Sequence, residues 1–143
     1  LKIVVLVVFI FLIFVPYPSF LERLFPPKEP VRIVMFYSEQ CPYCLSAKQE
    51  VLRIGEKYTN TETCLVEISH LTPAQRDVWI AAMDFYALSR RGVPMVFVAD
   101  KVMVGATDIS YGLARTVRWC LLTGKGGYPK ALGEEGWAQL CSP

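Results

Sequence analysis

The sequence has little of what a metal site or a nucleic-acid surface requires. It contains one histidine, His70, and a single C-x-x-C pair, whereas a tetrahedral zinc site takes four ligands, commonly from two such pairs. Its formal net charge of +2 arises from 15 basic and 13 acidic residues interspersed along the chain, so no basic footprint for nucleic acid is visible. The sequence also lacks internal repeats, and its length suits one compact domain with a single core.

The chain begins instead with an abundance of apolar residues. "LKIVVLVVFIFLIFV", Leu1 to Val15, carries one charge, and the aromatic residues that follow it suit a membrane interface. We interpret residues 1–24 as a hydrophobic helix that is an uncleaved signal anchor, with a cleaved signal peptide or a buried N-terminal element as alternatives. Residues 25–30, "FPPKEP", form a proline-rich linker.

Residues 31–123 show the pattern of one α/β domain. The predicted order is strand, helix, strand, helix, strand, strand, helix, which indicates a mixed four-stranded sheet with helices on both faces. Residues 124–143 form a C-terminal tail beyond this pattern. The predicted elements are a strand over 31–37, a helix over 45–58 with Leu45 on its apolar stripe, a strand over 63–69, a helix over 74–91 stopped by Gly92, a hairpin over 93–106 and a helix over 108–122.

The residues that carry chemistry lie between the first strand and the first helix. Cys41 precedes the helix, where backbone N–H groups and the helix dipole stabilise a thiolate, and Cys44 lies one turn further on. Pro42 suits the first helical turn, where its missing N–H costs nothing. This arrangement predicts that Cys41 is the nucleophile of thiol–disulfide exchange and that Cys44 resolves the mixed disulfide.

Other uses of the Cys41–Cys44 pair stay open at this stage. Zinc would need further ligands, and the sequence favours no metal at this site. An iron–sulfur cluster bridging two chains through Cys41 is a further alternative. A purely structural crosslink between residues one turn apart would constrain little.

Two motifs about fifty residues apart resemble those of a known family. "CPYC", Cys41 to Cys44, is similar to the active-site tetrapeptide of glutaredoxins, and "GVPMVFVADKVMVGATD", Gly92 to Asp108, is similar to their Val-cisPro, hairpin and glycine-pair segment. Residues 31–122 therefore resemble the thioredoxin-like three-layer fold. The resemblance implies a cis peptide at Val93–Pro94, pairing of the Val93 backbone with substrate, and substrate-binding roles for Pro42, Tyr43, Val93, Pro94 and Gly105.

The resemblance and the apolar start together predict a function. Glu39 stands where glutaredoxins commonly carry a basic residue that helps to hold glutathione. We expect a thiol–disulfide oxidoreductase without a bound cofactor, membrane-anchored or exported, that acts on protein thiols and disulfides outside the cytoplasm and exchanges electrons with a membrane redox partner. Its net direction stays open between disulfide formation or isomerisation and reduction of exported thiols. Alternatives are a glutaredoxin at the cytoplasmic membrane face with glutathione as co-substrate, or a non-enzymatic binding subunit switched by its cysteines.

The remaining cysteines lead to one more prediction. In an oxidising compartment, Cys120 and Cys141 would form a structural disulfide that ties the tail to the last helix. Cys64 lies within a predicted strand and is expected to be a buried, inert thiol.

Overall fold

A computed structural model describes residues 29–142 of the chain. The predicted anchor or signal segment over residues 1–24 and linker residues 25–28 lie outside the described residues. Within residues 29–142, no helix combines the length and apolar character needed to cross a membrane.

Four strands form one mixed sheet: β1 (Val31–Tyr37), β2 (Thr61–Glu67), β3 (Met95–Val98) and β4 (Lys101–Val104). Their order across the sheet is β2-β1-β3-β4, with β2 parallel to β1 and both other pairs antiparallel. This order and these directions confirm the predicted mixed four-stranded sheet and are consistent with a thioredoxin-like α/β fold. Strand β1 has the predicted bounds, whereas β2 lies two residues earlier than expected.

Four helices flank the sheet: α1 (Pro42–Lys57), α2 (Pro73–Phe85), α3 (Ala106–Thr123) and α4 (Gly133–Cys141). Alternate residues of β1 point to opposite faces, so Ile33 and Met35 join a core with α1 and α3. Val34 and Phe36 join a second core that contains residues of α2 and α4. Burial on both faces explains why the first strand is apolar almost throughout.

Helix α2 begins as predicted and ends early. Thr72 and Gln75 form a reciprocal capping box before the first turn. The helix ends at Phe85, and Gly92 does not stop it, because Ala87 takes a left-handed backbone conformation with φ of 48°. Leu88 then packs against the second core, so tertiary packing overrides the helical propensity of the following residues.

The C-terminal tail, which the sequence pattern leaves unplaced, packs on the domain. The Gly127 N–H donates to the Pro30 carbonyl at 2.8 Å, and Gly127 bridges to Val31 at the start of β1. Gly126 allows this approach, since a Cβ there would lie 2.1 Å from the Glu29 carbonyl oxygen. Helix α4 then lies against α2 and β2.

The predicted Cys120–Cys141 disulfide is wrong. Cys141 pairs with Cys64, and their Cα atoms lie 5.7 Å apart. Cys120 is a free thiol that is fully buried in the core shared by α1 and α3, on the other face of the sheet from Cys141. The expectation that Cys64 is an inert thiol is wrong for the same reason, because its side chain faces α4.

Candidate active site

The chain between β1 and α1 places the two cysteines in different environments. Cys41 is the residue that caps α1, with φ of −95° and ψ of 111°, and Pro42 follows it in the first turn. The Cys44 N–H donates to the Cys41 carbonyl at 3.1 Å. Cys41 is half-buried, whereas the Cys44 side chain is buried and lies on the core-facing side of the helix. An incoming sulfur atom therefore reaches Cys41 first.

The second motif lies directly opposite Cys41. The Val93–Pro94 peptide bond is cis, and the Cys41 thiol donates to the Val93 carbonyl with an Sγ to O distance of 3.8 Å. The Gly105 N–H donates to the Pro94 carbonyl at 2.8 Å and so joins the start of α3 to this loop. Two motifs that are distant in sequence thus meet at one edge of the sheet.

The backbone conformation at position 105 explains why the residue there is glycine. Its φ of 93° and ψ of 153° lie in a region of backbone conformation that is almost restricted to glycine. A Cβ at this position would meet no atom within 4 Å, so crowding does not explain the residue. The conformation turns the chain from β4 into α3 while its N–H faces Pro94.

Burial changes the acid–base behaviour of the inner cysteine. Loss of solvent raises the pKa of Cys44 to about 11, and a hydrogen bond with Cys41 acts in the same direction. A backbone hydrogen bond from Ser38 opposes part of this shift. Met35 of β1 is fully buried, and no charged side chain is buried among residues 29–142. The Cys44 proton therefore has no buried carboxylate to accept it.

A cavity of about 200 Å³ opens beside both sulfur atoms. The Lys48 ammonium lies 4.3 Å from the centroid of the Tyr37 ring, which holds this cation at the cavity. The lining residues are Tyr37, Ser38, Glu39, Cys41, Cys44, Leu45 and Lys48.

The outer rim of the site is apolar. Tyr43 is 71% exposed and Leu45 is 63% exposed, although the sequence pattern assigned Leu45 to the buried stripe of α1. The helix begins at Pro42 rather than near Leu45, and its buried face is Cys44, Ala47, Val51 and Ile54. Leu45 thus belongs to the surface around Cys41.

Comparison with known proteins adds information about the fold. No family model matches the chain, and no curated protein matches it. A solved protein from Agrobacterium tumefaciens is similar, with a TM-score of 0.54 and 13% identity over 67% of this chain and 47% of its own. This chain thus spans about half of that protein's length, and a likeness at such low identity concerns the fold alone.

A second solved structure is a thiol:disulfide interchange protein of the thioredoxin family from Chlorobium tepidum. Its TM-score is 0.47, with 20% identity over 66% of this chain and 81% of its own.

Of the remaining predicted residues, Cys120 lies away from this site, whereas Pro42 and Tyr43 border it. Cys120 is buried in the α1–α3 core, and burial raises the pKa of its thiol, with a smaller contribution from Asp100. Pro42 and Tyr43 are exposed beside Cys41. Across residues 29–142, no three His, Cys, Asp or Glu side chains are grouped so that they could hold a metal ion.

Proposed function

We propose that the protein is a thiol–disulfide oxidoreductase that exchanges disulfides with protein substrates through Cys41 and Cys44. The observation that carries this proposal is the position of the Cys41 sulfur: half-buried at the start of a helix, 3.8 Å from the Val93 carbonyl, with Cys44 one turn behind it. An extended substrate segment beside Val93 would place its own sulfur next to Cys41.

The exchange proceeds in two balanced steps. The Cys41 thiolate attacks one sulfur of a substrate disulfide, forms a mixed disulfide and releases the other substrate sulfur as a thiolate. The Cys44 thiolate then attacks the Cys41 sulfur, which forms the Cys41–Cys44 disulfide and releases the substrate as a dithiol. The substrate gains two electrons and the protein loses two. Run in reverse, the same steps oxidise a substrate dithiol.

A protein substrate suits the surroundings of Cys41 better than glutathione does. The adjoining cavity of about 200 Å³ is smaller than the range of roughly 300–1,000 Å³ that is usual for small-molecule sites. The exposed side chains of Tyr43 and Leu45 instead offer an apolar rim around Cys41. Glu39 and Lys48 both line the cavity, so the cavity presents no net positive charge to the two carboxylates of glutathione.

We further propose that the domain works on the extracytoplasmic side of a membrane. The Cys64–Cys141 disulfide supports this location, because such bonds persist in oxidising compartments and are rare in the cytosol. The apolar run over residues 3–15 supports export or anchoring. A membrane protein that exchanges electrons with the Cys41–Cys44 pair would then restore its working redox state.

Cysteine variants test the catalytic assignment. With a disulfide-bonded protein such as insulin as substrate and dithiothreitol as reductant, we expect Cys41→Ser to fall to the rate of the reductant alone. In a separate reaction without dithiothreitol, which would cleave the product, Cys44→Ser should retain the attacking sulfur and accumulate a mixed disulfide with insulin, visible on non-reducing gels. Cys120→Ala, which removes the third free thiol, is the matched control and should keep normal turnover.

Two further measurements separate the competing functions. Full biological activity in Cys41→Ser would exclude catalysis and favour a binding subunit with a redox switch. Turnover that depends on glutathione and saturates with it would favour the glutaredoxin alternative over protein-to-protein exchange.

A further inference from the structure

A basic and partly apolar surface covers the end of the domain opposite to Cys41. Four exposed residues of α3 share one face at i, i+3, i+4 and i+7: Arg115, Arg118, Trp119 and Leu122. Leu122 is 78% exposed and Trp119 is 44% exposed, so two large apolar side chains lie beside two arginines at the surface.

Two cavities lie beside this face of α3 and add further residues to the surface. Their volumes are about 230 and 360 Å³, and both contain Asp100 and Trp119 in their walls. The Lys125 ammonium lies 4.7 Å from the centroid of the Trp119 ring. Asp100 is the one acidic residue among the described residues that line the two cavities. We define the basic surface by these side chains: Lys101, Arg115, Arg118, Trp119, Leu122, Lys125 and Lys130.

The chain enters the domain beside the basic surface. Gly126 lines one of the cavities and lies against Glu29, and the Pro30 carbonyl accepts a hydrogen bond from the Gly127 N–H. From there β1 runs for seven residues, about 20 Å, toward the site at Cys41. The β3–β4 turn at Asp100 lies at the same end as residue 29, because β3 is antiparallel to β1. The residues before position 29 include the apolar run of the sequence.

We propose that the basic surface docks onto the anionic headgroups of a lipid bilayer, with Trp119 and Leu122 entering the interface. The proposal rests on the anchoring part of the proposed function and not on its redox chemistry. Five cations outnumber the two nearby acids, Asp100 and the Glu29 carboxylate beside Gly127, so the surface complements an anionic leaflet. Tryptophan is favoured at the depth of the headgroups. A membrane-held segment that joins the domain at this end would raise the local concentration of lipid at the surface. An acidic protein would satisfy the charges but would not explain why the apolar run joins the domain at this end.

Docking in this orientation has a consequence for Cys41. The site lies at the far end of β1, so it would point away from the bilayer toward water-borne protein substrates. A bilayer contact would thus hold the apolar rim of Tyr43 and Leu45 clear of the lipid.

Fluorescence of the full chain reconstituted in vesicles tests the docking. Brominated lipids quench tryptophan that lies at the interface, and Trp119→Phe identifies the share of the signal that belongs to Trp119. In vesicles of equimolar phosphatidylcholine and phosphatidylglycerol we expect strong quenching, weakened by added salt. In vesicles of phosphatidylcholine alone we expect little quenching. Arg115→Gln/Lys125→Gln should lower the ratio of docked to undocked domain by about 25-fold, since each cation contributes about fivefold at an anionic surface.

The control variant Arg76→Gln/Arg90→Gln makes the same change of charge at exposed positions outside the basic surface and should quench normally. Equal quenching in both lipid mixtures, or an equal loss in both double variants, would overturn the proposal. If Trp119 becomes shielded only when an acidic protein is added, that result would overturn the docking proposal in favour of a protein partner. Insulin reduction measured in the same vesicles separates this outcome from failure of the redox function, because the charge variants should keep normal turnover.

Discussion

Burial of the Cys44 sulfur determines how disulfide exchange should respond to pH. The pKa of this thiol is raised to about 11, mainly because a thiolate there loses solvent, so Cys44 is protonated at neutral pH. Only the thiolate attacks, and its fraction grows about tenfold for each pH unit below the pKa. Loss of solvent, the main cause, persists when Cys41 is in a mixed disulfide, whereas the contribution of the Cys41 thiol does not. We therefore expect the attack of Cys44 on that disulfide to accelerate by up to about tenfold per pH unit above about pH 7. Release of thionitrobenzoate from Cys41, followed by stopped-flow absorbance, measures this rate.

The matched control for this rate is Cys44→Ser, which should release no chromophore at any pH. A rate in the wild-type protein that levels off near neutral pH would contradict the prediction. That result would mean that another group lowers the pKa of Cys44 once Cys41 is in a disulfide. No charged side chain is buried among residues 29–142, so a steep rise of the rate with pH is the expected result.

Sequence patterns identify the reacting residues, but they do not identify the residues that surround them in the site. A C-x-x-C pair before a helix and a Val-Pro pair before a hairpin are local signals, and the structure brings Cys41 and Val93 together. Leu45 and Lys48 have no such signal, because their exposure depends on where α1 begins and which of its faces the sheet covers. Successive residues of a helix lie about 100° apart, so Leu45 turns outward where its neighbour Cys44 faces the core.

At the scale of elements, Gly105 connects β4, α3 and the Val93–Pro94 loop, so its substitution should disturb both stability and the site. Gly105→Ala places a Cβ at φ of 93°, which we expect to lower the free energy of unfolding by about 1–3 kcal/mol. If the strain moves the Gly105 N–H away from the Pro94 carbonyl, KM for a protein substrate should rise more than kcat falls. Urea unfolding and steady-state kinetics measure the two effects.

Gly92→Ala is the matched control for that experiment. A Cβ at either glycine would meet no atom within 4 Å, but only Gly105 has a positive φ. Equal stability of the two variants would show that the backbone conformation at position 105 is not the reason for its glycine.

The extent of each element was less predictable than its type. Strand β1 has the predicted bounds because its apolar run ends at the polar residues after Tyr37. Helix α2 was expected to continue to Arg91, since nothing in the local sequence opposes a helix there. The left-handed Ala87 and the burial of Leu88 end it six residues earlier. Such an end depends on the core that α2 joins, which local propensity does not describe.

At the scale of the whole molecule, the mixed four-stranded sheet followed from the order of strands and helices along the chain, whereas the position of the tail did not. Short connections and alternation of strands and helices restrict the sheet to few arrangements. The tail has no such restriction, because its partners are Pro30, Val31 and the outer face of β2. The pairing of Cys141 depends on which face of the sheet each cysteine occupies. Proximity in sequence favoured Cys120, but its side chain points into the opposite core.

The Cys64–Cys141 bond should therefore stabilise the whole domain rather than its last helix alone. It closes a loop of 77 residues, for which the chain-entropy model gives about 4 kcal/mol of stability. We expect Cys64→Ala/Cys141→Ala to lower the free energy of urea unfolding by about that amount, whereas Cys120→Ala should cost only about 1 kcal/mol. Peptide mapping without reductant should recover residues 64 and 141 in one linked pair. A domain that unfolds at the same urea concentration with and without the bond would contradict this assignment, because a tail that frays freely would leave the sheet and its two cores intact.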